Sequence, residues 1–110
     1  MDDRQYNEYC AQALALVESR VDAWLQADTI DIDVARTGGM LEMAFPNGSK
    51  IIINTQPPLQ ELWLAAQRGG YHFKHTGQEW RDGREGLEFF SLLSSCASEQ
   101  AGQPLDFGRP

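Results

Sequence analysis

The sequence predicts an α+β fold, a two-layer α/β sandwich in which two helices cover one face of an antiparallel sheet of about six strands. Apolar residues recur at helical spacing near both ends of the chain, and six short segments between them favour strands. The connections between those segments are only a few residues long, which is typical of neighbouring antiparallel strands. Two amphipathic helices at the ends of an α-β6-α order can therefore lie side by side on one sheet face.

The first helix is predicted over residues 3 to 25. Asp2 or Asp3 can cap its start, where a carboxylate also favours the positive end of the helix dipole. Glu18 and Asp22 are four residues apart and share a face that is not the apolar one. The apolar stripe consists of Tyr6, Cys10, Ala13, Leu14, Val17, Val21 and Trp24. This helix is expected to bury the stripe and to expose its acids.

The first strand is predicted from Ile30 to Val34, because apolar and acidic residues alternate strictly there. Asp31 and Asp33 then share the outward side, about 6–7 Å apart. A turn at residues 37 to 39 leads into a second strand from Met40 to Phe45. Asn47 and Gly48 predict a type I′ hairpin turn, which requires positive φ at both residues.

The third and fourth strands flank a tight corner at Pro57 and Pro58. The third strand contains the β-branched run at residues 51 to 53, and alternation places Asn54 and Gln56 on one of its faces. Trp63 shares a face of the fourth strand with Glu61. A sheet covered on one side needs only one apolar face, so an indole on the other side usually marks a partner contact.

The remaining strands are predicted from Tyr71 to His75 and from Gln78 to Arg81. A second amphipathic helix is predicted from Leu87 to Ala101, with Gly102 where a helix C-cap belongs. The whole chain, residues 1–110, is expected to form one domain. Within it, residues 103–110 are expected to form a loosely packed tail, with packing of Leu105 and Phe107 on the helices as the alternative.

The composition limits the class of partner. The 110 residues include 16 acids and 9 bases, which gives a formal net charge of −7. A surface of this sign disfavours nucleic acid and anionic membrane, and it favours a cation or a basic protein. No apolar run is long enough for a membrane span, and the N-terminus lacks the pattern of a signal peptide. A cytoplasmic protein, monomeric without metal, is expected.

No catalytic constellation is evident, so an enzyme is not expected. His72 and His75 are three residues apart on one strand and point to opposite faces, which prevents them from binding one metal ion together. Cys10 and Cys96 lie on the apolar stripes of the two helices and are expected to be small buried hydrophobes. No nucleophile elbow and no phosphate-binding loop are found.

A group of carboxylates remains, at the end of the first helix, in the connection and on the first strand. We call Glu18, Asp22, Asp28, Asp31 and Asp33 the acidic ridge. Exposed oxygen ligands suit hard cations weakly, among them Ca²⁺, Mg²⁺, Mn²⁺ and iron. Two alternatives stay open: the acids protect an edge strand from aggregation, or they dock a basic groove of a partner. The arginines and Lys50 are not expected to interleave with the ridge.

Several motifs together are similar to those of the bacterial frataxin (CyaY) family. They are the acidic helix ending at Trp24, the acidic first strand, Asn-Gly-Ser-Lys-Ile-Ile-Ile-Asn-x-Gln, Leu-x-x-x-Trp-Leu-Ala, Gly-Gly-Tyr-His-Phe and the strand of Trp80. The resemblance covers residues 5 to 102. It implies a protein of iron–sulfur cluster biogenesis that binds ferrous and ferric iron weakly through the acidic ridge. Other divalent cations are expected at the same carboxylates.

The resemblance also implies partners. Bacterial frataxins bind the cysteine desulfurase of this pathway. Glu18, Asp22, Asp31 and Asp33 match acidic positions of the family, and Glu18 and Asp22 are also expected to bind the partner. Asn54, Gln56 and Trp63 match exposed contacts to the cluster-assembly machinery, which includes the scaffold protein. Acids common in the family are replaced here by Ser19, Ala23, Leu25, Ala27 and Thr29, so this ridge is thinner. An alternative function is a ferroxidase or iron-storage protein, although a defined dinuclear site cannot be assembled from these residues.

Overall fold

Two helices and one sheet form two layers, in the order that the sequence predicts. The computed structural model describes all 110 residues and places the helices α1 (Asp3–Gln26) and α2 (Phe89–Ala101) on one face of the sheet. The strands are β1 (Asp33–Thr37), β2 (Met40–Ala44), β3 (Lys50–Gln56), β4 (Glu61–Ala65), β5 (Gly70–His75) and β6 (Trp80–Asp82). Each strand pairs antiparallel with the next, so β1 and β6 are the two edges. The predicted fold class is confirmed. We call the sheet face without helices the open face.

The helices form where the sequence pattern and the caps agree. Asp2 accepts a hydrogen bond from the backbone N–H of Gln5 at 2.8 Å, and the Gln5 side chain accepts one from the N–H of Asp2 at 3.1 Å. This reciprocal capping box satisfies two N–H groups at the start of α1. Glu88 caps α2, which ends at Gly102 with φ of 71°. Neither helix combines the length and the apolarity that crossing a membrane requires.

The core lies between the helices and the sheet. It is one cluster of 24 buried residues, to which the strands contribute every second side chain. On the central strands these are Leu41, Met43, Ile51, Ile53, Leu62, Leu64 and Phe73. The two cysteines are buried and unpaired, as predicted. Burial raises the pKa of both thiols, so they remain protonated and are poor nucleophiles.

The first strand begins later than predicted. β1 starts at Asp33 instead of Ile30, and it continues to Thr37. Asp33 pairs with Ala44, the last residue of β2, and the chain turns at Pro46 directly afterwards. Residues 30 to 32 therefore face no partner strand. The predicted alternation still holds in this segment: Ile32 points inward and is buried, and Asp31 and Asp33 point outward and are exposed.

The predicted type I′ turn is wrong. Only Gly48 has positive φ, at 86°. The backbone N–H of Gly48 donates to the carbonyl of Phe45 at 2.9 Å, and the N–H of Phe45 donates to the carbonyl of Ser49 at 2.8 Å. Three residues therefore form the turn, because Pro46 fixes a negative φ. The Asn47 amide instead donates to the carbonyl of Gln100 at the end of α2, at 2.7 Å.

The structure contradicts a loosely packed tail at residues 103–110 and agrees with the alternative, in which Leu105 and Phe107 pack on the helices. Leu105 and Phe107 are 5% and 0% exposed and belong to the core. The Phe107 ring packs edge-on against Trp24 of α1, with centroids 4.8 Å apart. Ser94 of α2 accepts a hydrogen bond from the N–H of Phe107, and Arg20 of α1 donates to its carbonyl at 2.8 Å. The tail thus ties the two helices together.

Candidate functional site

Strand register decides which side of the sheet each polar residue occupies. Val34 pairs with buried Met43, so Val34 lies on the helix side of β1. Asp33 is its neighbour and lies on the side of the open face. Glu18 and Asp22 belong to α1, which covers the other side. The acidic ridge therefore passes around the edge strand β1 instead of lying on one face.

One member of the acidic ridge is already paired. The guanidinium of Arg36 lies 2.6 Å from a carboxylate oxygen of Glu18. Arg36 has the same strand side as Val34 and Ile32, so its side chain reaches α1. The expectation that arginines do not interleave with the ridge is wrong at this position. Alternation along β1 is a sequence signal that places Arg36 on the helix side, but it does not show that Arg36 reaches Glu18.

The other four ridge carboxylates have no partner within the chain. Asp22, Asp28, Asp31 and Asp33 are exposed and form neither ion pairs nor side-chain hydrogen bonds. No three Asp, Glu, His or Cys side chains converge on a point that could hold a metal ion. The ridge is thus a concentration of charge without a preformed coordination shell.

Asp28 is held in an unusual conformation at the end of α1. Its φ is 58°, in the left-handed region that favours glycine. The N–H of Thr29 donates to the carbonyl of Trp24 at 2.8 Å, and the N–H of Asp28 donates to that of Leu25 at 3.1 Å. This is the hydrogen-bond pattern of a Schellman helix end. The last turn of α1 contains no base, and Asp22 and Asp28 flank this negative end of the helix dipole.

Charge is distributed unevenly along the chain. The first 33 residues contain eight acids and two bases, whereas the remaining 77 contain eight acids and seven bases. Most of the net negative charge therefore belongs to α1, the connection and the start of β1. A field of this sign attracts metal cations and basic protein surfaces.

The open face carries a second polar surface, centred on Trp63. The indole N–H donates to Oε1 of Glu61 at 2.8 Å, and the ring stacks on His72 with centroids 3.9 Å apart and planes 6° apart. Lys74 lies 3.7 Å from Oε2 of Glu61, whose side chain is only 15% exposed. Trp63 is half-buried, and these contacts fix its orientation.

The amide side chains complete this surface. Asn54 pairs directly with Trp63 across β3 and β4, and Gln56 pairs with Glu61. Both amides are half-buried and make no side-chain hydrogen bond within the chain, so their donors and acceptors are free for a partner. We call Asn54, Gln56, Glu61, Trp63 and His72 the open-face platform.

Sequence reasoning missed the role of His72. The sequence pattern places His72 on the face opposite His75, but its spacing from Trp63 gives no sign that the two rings stack. Cross-strand pairing between β4 and β5 would have shown it, because Trp63 is directly opposite His72. His75 points to the opposite side, as predicted, and stacks on Tyr9 of α1 with centroids 3.6 Å apart. Burial lowers the pKa of His75.

Comparison with known proteins identifies the family. The frataxin-like domain family matches residues 1–103. The chain is 48% identical over 110 residues to the iron-sulfur cluster assembly protein CyaY of Polaromonas sp. strain JS666, covering 100% of this chain and 95% of that one. The chain belongs to the frataxin-like family. The predicted membership of the bacterial frataxins is thereby confirmed.

Solved frataxin structures share the fold. Frataxin from Psychromonas ingrahamii superposes with a TM-score of 0.87 at 30% identity, covering 99% of this chain and 100% of that one. A trimeric frataxin from the yeast Saccharomyces cerevisiae, complexed with ferrous iron, gives a TM-score of 0.68 at 24% identity, with 94% and 88% covered. The arrangement of α1, α2 and six strands is therefore that of the frataxins.

Proposed function

We propose that this protein is an iron-binding protein of iron–sulfur cluster biogenesis, which donates iron or regulates the pathway. It docks on the cysteine desulfurase through the acidic ridge. A relative named as an iron–sulfur cluster assembly protein is 48% identical over the full length of this chain, which supports the pathway. The observation that carries the proposal is the set of four unpaired, exposed carboxylates around the β1 edge.

The chemistry of the ridge fits iron as a transient cargo. Carboxylate oxygens are hard ligands that ferrous and ferric iron accept, and no thiolate or imidazole lies among them. Because three carboxylates do not converge, each iron ion meets few protein ligands and keeps bound water. Binding is then weak and readily reversed, which is what delivery to another protein requires. Other hard divalent cations compete at the same carboxylates.

The acidic ridge and the open-face platform bind different partners. The acidic ridge attracts a basic groove on the desulfurase, because positive charge on the partner reduces the repulsion between the ridge carboxylates. The open-face platform offers an oriented indole with free amides beside it, which suits a closely fitted contact to the scaffold protein. We place these encounters in the cytoplasm.

Amide NMR during an anaerobic ferrous titration tests the iron proposal. Signals of residues 18 to 33 are expected to shift or broaden first, both in the free protein and with the desulfurase present. Asp22→Asn combined with Asp31→Asn should weaken this response. The matched control is Glu85→Gln combined with Asp106→Asn, which removes the same charge elsewhere. Equal weakening in both pairs, or a response confined to another surface, would contradict a site at the ridge.

The proposal contains no catalytic step. A ferroxidase would need two iron ions held close together by shared ligands, and the ridge offers no such set of converging groups. Aerobic oxidation of ferrous iron is therefore expected to proceed no faster with the protein than in buffer, apart from a weak acceleration of the oxidation of iron bound to the ridge carboxylates. A saturable acceleration that Asp22→Asn abolishes would favour the ferroxidase alternative instead.

A further inference from the structure

A cavity lies at the sheet edge opposite the acidic ridge. It is bounded by α1, the β5–β6 hairpin, the start of α2 and the last two residues, and its volume is about 170 Å³. That size compares with an engineered apolar cavity of about 150 Å³ that holds benzene. We call it the tail pocket and define it by Tyr9, His75, Trp80, Glu88, Phe90 and Arg109.

Aromatic rings form its walls. Tyr9 and His75 are stacked with planes 10° apart, and Trp80 meets His75 edge-on with centroids 5.0 Å apart. Nδ1 of His75 accepts a hydrogen bond from the N–H of Gly77 at 3.0 Å, which fixes the imidazole. Burial lowers the pKa of His75, so the ring is uncharged near neutral pH. Flat, uncharged aromatic surfaces favour a planar cation or its methylene stem.

A buried carboxylate lies at one end of the tail pocket. The side chain of Glu88 is only 4% exposed. Its Oε2 accepts from the N–H of Phe90 at 2.8 Å, and its Oε1 accepts from the N–H of Ser91 at 3.0 Å. These hydrogen bonds at the start of α2 keep the carboxylate ordered. A buried carboxylate still favours a cation beside it.

The chain supplies that cation from its own tail. Nε of Arg109 lies 3.2 Å from Oε1 of Glu88, and its Nη2 donates to the hydroxyl of Ser91 at 3.0 Å. The Arg109 side chain is 58% exposed, however, so this ion pair adds little and is easily replaced. Glu88 keeps its backbone hydrogen bonds when Arg109 leaves. The pocket can therefore open without disturbing the cap of α2.

We propose that the tail pocket is a receptor for an arginine side chain presented by a partner protein, and that Arg109 occupies its carboxylate end in the absence of that partner. The guanidinium of the partner pairs with Glu88, while its methylene stem lies against the rings of Tyr9, His75 and Trp80. Binding requires Arg109 to be displaced, so the tail competes with the partner. This contact lies away from both surfaces assigned above, and it requires neither iron nor the desulfurase.

A peptide titration tests the receptor. The probe is the capped tripeptide acetyl-Gly-Arg-Pro-amide, added to the 110-residue protein and to its Arg109→Ala variant. Binding is followed by NMR through the indole N–H of Trp80 and the amide of Phe90. The variant is expected to bind the peptide at least fivefold more tightly, because the competing side chain is gone. The peptide with citrulline in place of arginine has the same shape without charge, and it is expected not to bind.

Two further variants locate the site. Glu88→Gln in the Arg109→Ala background should abolish binding, whereas Glu85→Gln, an equal charge change on the nearby loop, should leave it intact. A melting curve checks that Glu88→Gln is folded; if it is not, the citrulline comparison alone decides. No shift at Trp80, or equal binding of the citrulline peptide, would overturn the receptor. Free L-arginine binding as tightly as the peptide would overturn the assignment to a protein partner.

Discussion

The acidic ridge and the open-face platform differ in how far each is organised before a partner arrives. On the ridge, Asp22, Asp31 and Asp33 are exposed and form neither ion pairs nor side-chain hydrogen bonds. On the platform, Trp63 is fixed by a hydrogen bond to Glu61 and by stacking on His72. The ridge concentrates charge without a fixed geometry. The platform has a fixed geometry and a single carboxylate, Glu61, which is paired with Lys74.

This difference predicts different binding behaviour. Charge that is exposed acts over a Debye length, about 8 Å at physiological ionic strength, and salt weakens it. It increases association rates more than it increases the stability of the final complex. A preoriented aromatic side chain acts only on contact, and its loss chiefly accelerates dissociation. The ridge is thus suited to attracting cations and basic partners, and the platform to discriminating among them.

The largest expected effect comes from removing the Phe107 ring, which packs against the end of α1 where the ridge lies. Phe107→Ala deletes a fully buried ring that packs on Trp24 near the end of α1. Truncation of a core aromatic typically costs about 3–5 kcal/mol. Urea unfolding should show a loss of this size, whereas Asp106→Ala, at an exposed neighbour, should change the free energy of unfolding by less than about 0.5 kcal/mol. A small loss for Phe107→Ala would mean that the tail does not support α1.

Trp63→Ala should separate binding from stability. The indole is half-buried on the open face, so the free energy of unfolding is expected to fall by less than about 2 kcal/mol, below the cost at Phe107. Affinity for the cluster-assembly partner should fall by about 2 kcal/mol or more, roughly 30-fold, at both low and high salt. Glu61→Gln keeps an acceptor for the indole N–H, so it should lower the affinity by less than Trp63→Ala does. A strong salt dependence of the Trp63→Ala effect would contradict the comparison of the two surfaces.

Charge reversal on the ridge should show the opposite salt behaviour. Asp22→Lys combined with Asp31→Lys is expected to slow association with the basic partner about tenfold at about 0.01 M ionic strength. At about 0.15 M the effect should shrink, because the Debye length falls from about 30 Å to about 8 Å. Stopped-flow association rates measure both. Glu85→Lys combined with Asp106→Lys controls for net charge, and an equal slowing by that pair would show that total charge matters rather than its position.

The sequence predicted most of the fold because hydrophobic periodicity is strong in both helices and in the central strands. Residues 3 to 25 gave the first helix to within one residue of its end at Gln26. Prediction failed where tertiary partners decide. Ile30 alternates like a strand residue but has no opposing strand, and the tail is polar except for Leu105 and Phe107, whose burial depends on the groove beside Trp24.

The candidate site was predictable in composition but not in geometry. Counting acids located the ridge, and alternation placed Trp63 on the open face. Neither could show that Arg36 reaches Glu18, because that contact depends on how α1 crosses β1. The Glu61 and His72 contacts of Trp63 likewise depend on the register between β4 and β5. Local patterns fix which side a residue occupies, and only packing fixes what it touches.

The smallest expected effect tests whether an acid of the ridge lowers the free energy of unfolding. Asp28 has a left-handed φ of 58° at the negative end of the α1 dipole, so Asp28→Gly relieves both the backbone strain and the charge. The free energy of unfolding should rise by about 0.5–1 kcal/mol. Asp28→Asn tolerates the same φ and removes only the charge, so it should gain about 0.3 kcal/mol.

Thermal melts of the three proteins, combined with ferrous titrations, separate stability from function at this position. If both variants are more stable and bind iron more weakly, the carboxylate of Asp28 contributes to iron binding and lowers the stability of the end of α1. If Asp28→Gly is more stable and iron binding is unchanged, Asp28 does not belong to the ridge, and the site narrows to Asp22, Asp31 and Asp33. A loss of stability in Asp28→Gly would instead show that this aspartate stabilises the end of α1. The ridge would then contribute to the stability of its own part of the fold, as the contacts of the platform do, and the two surfaces would no longer differ in this respect.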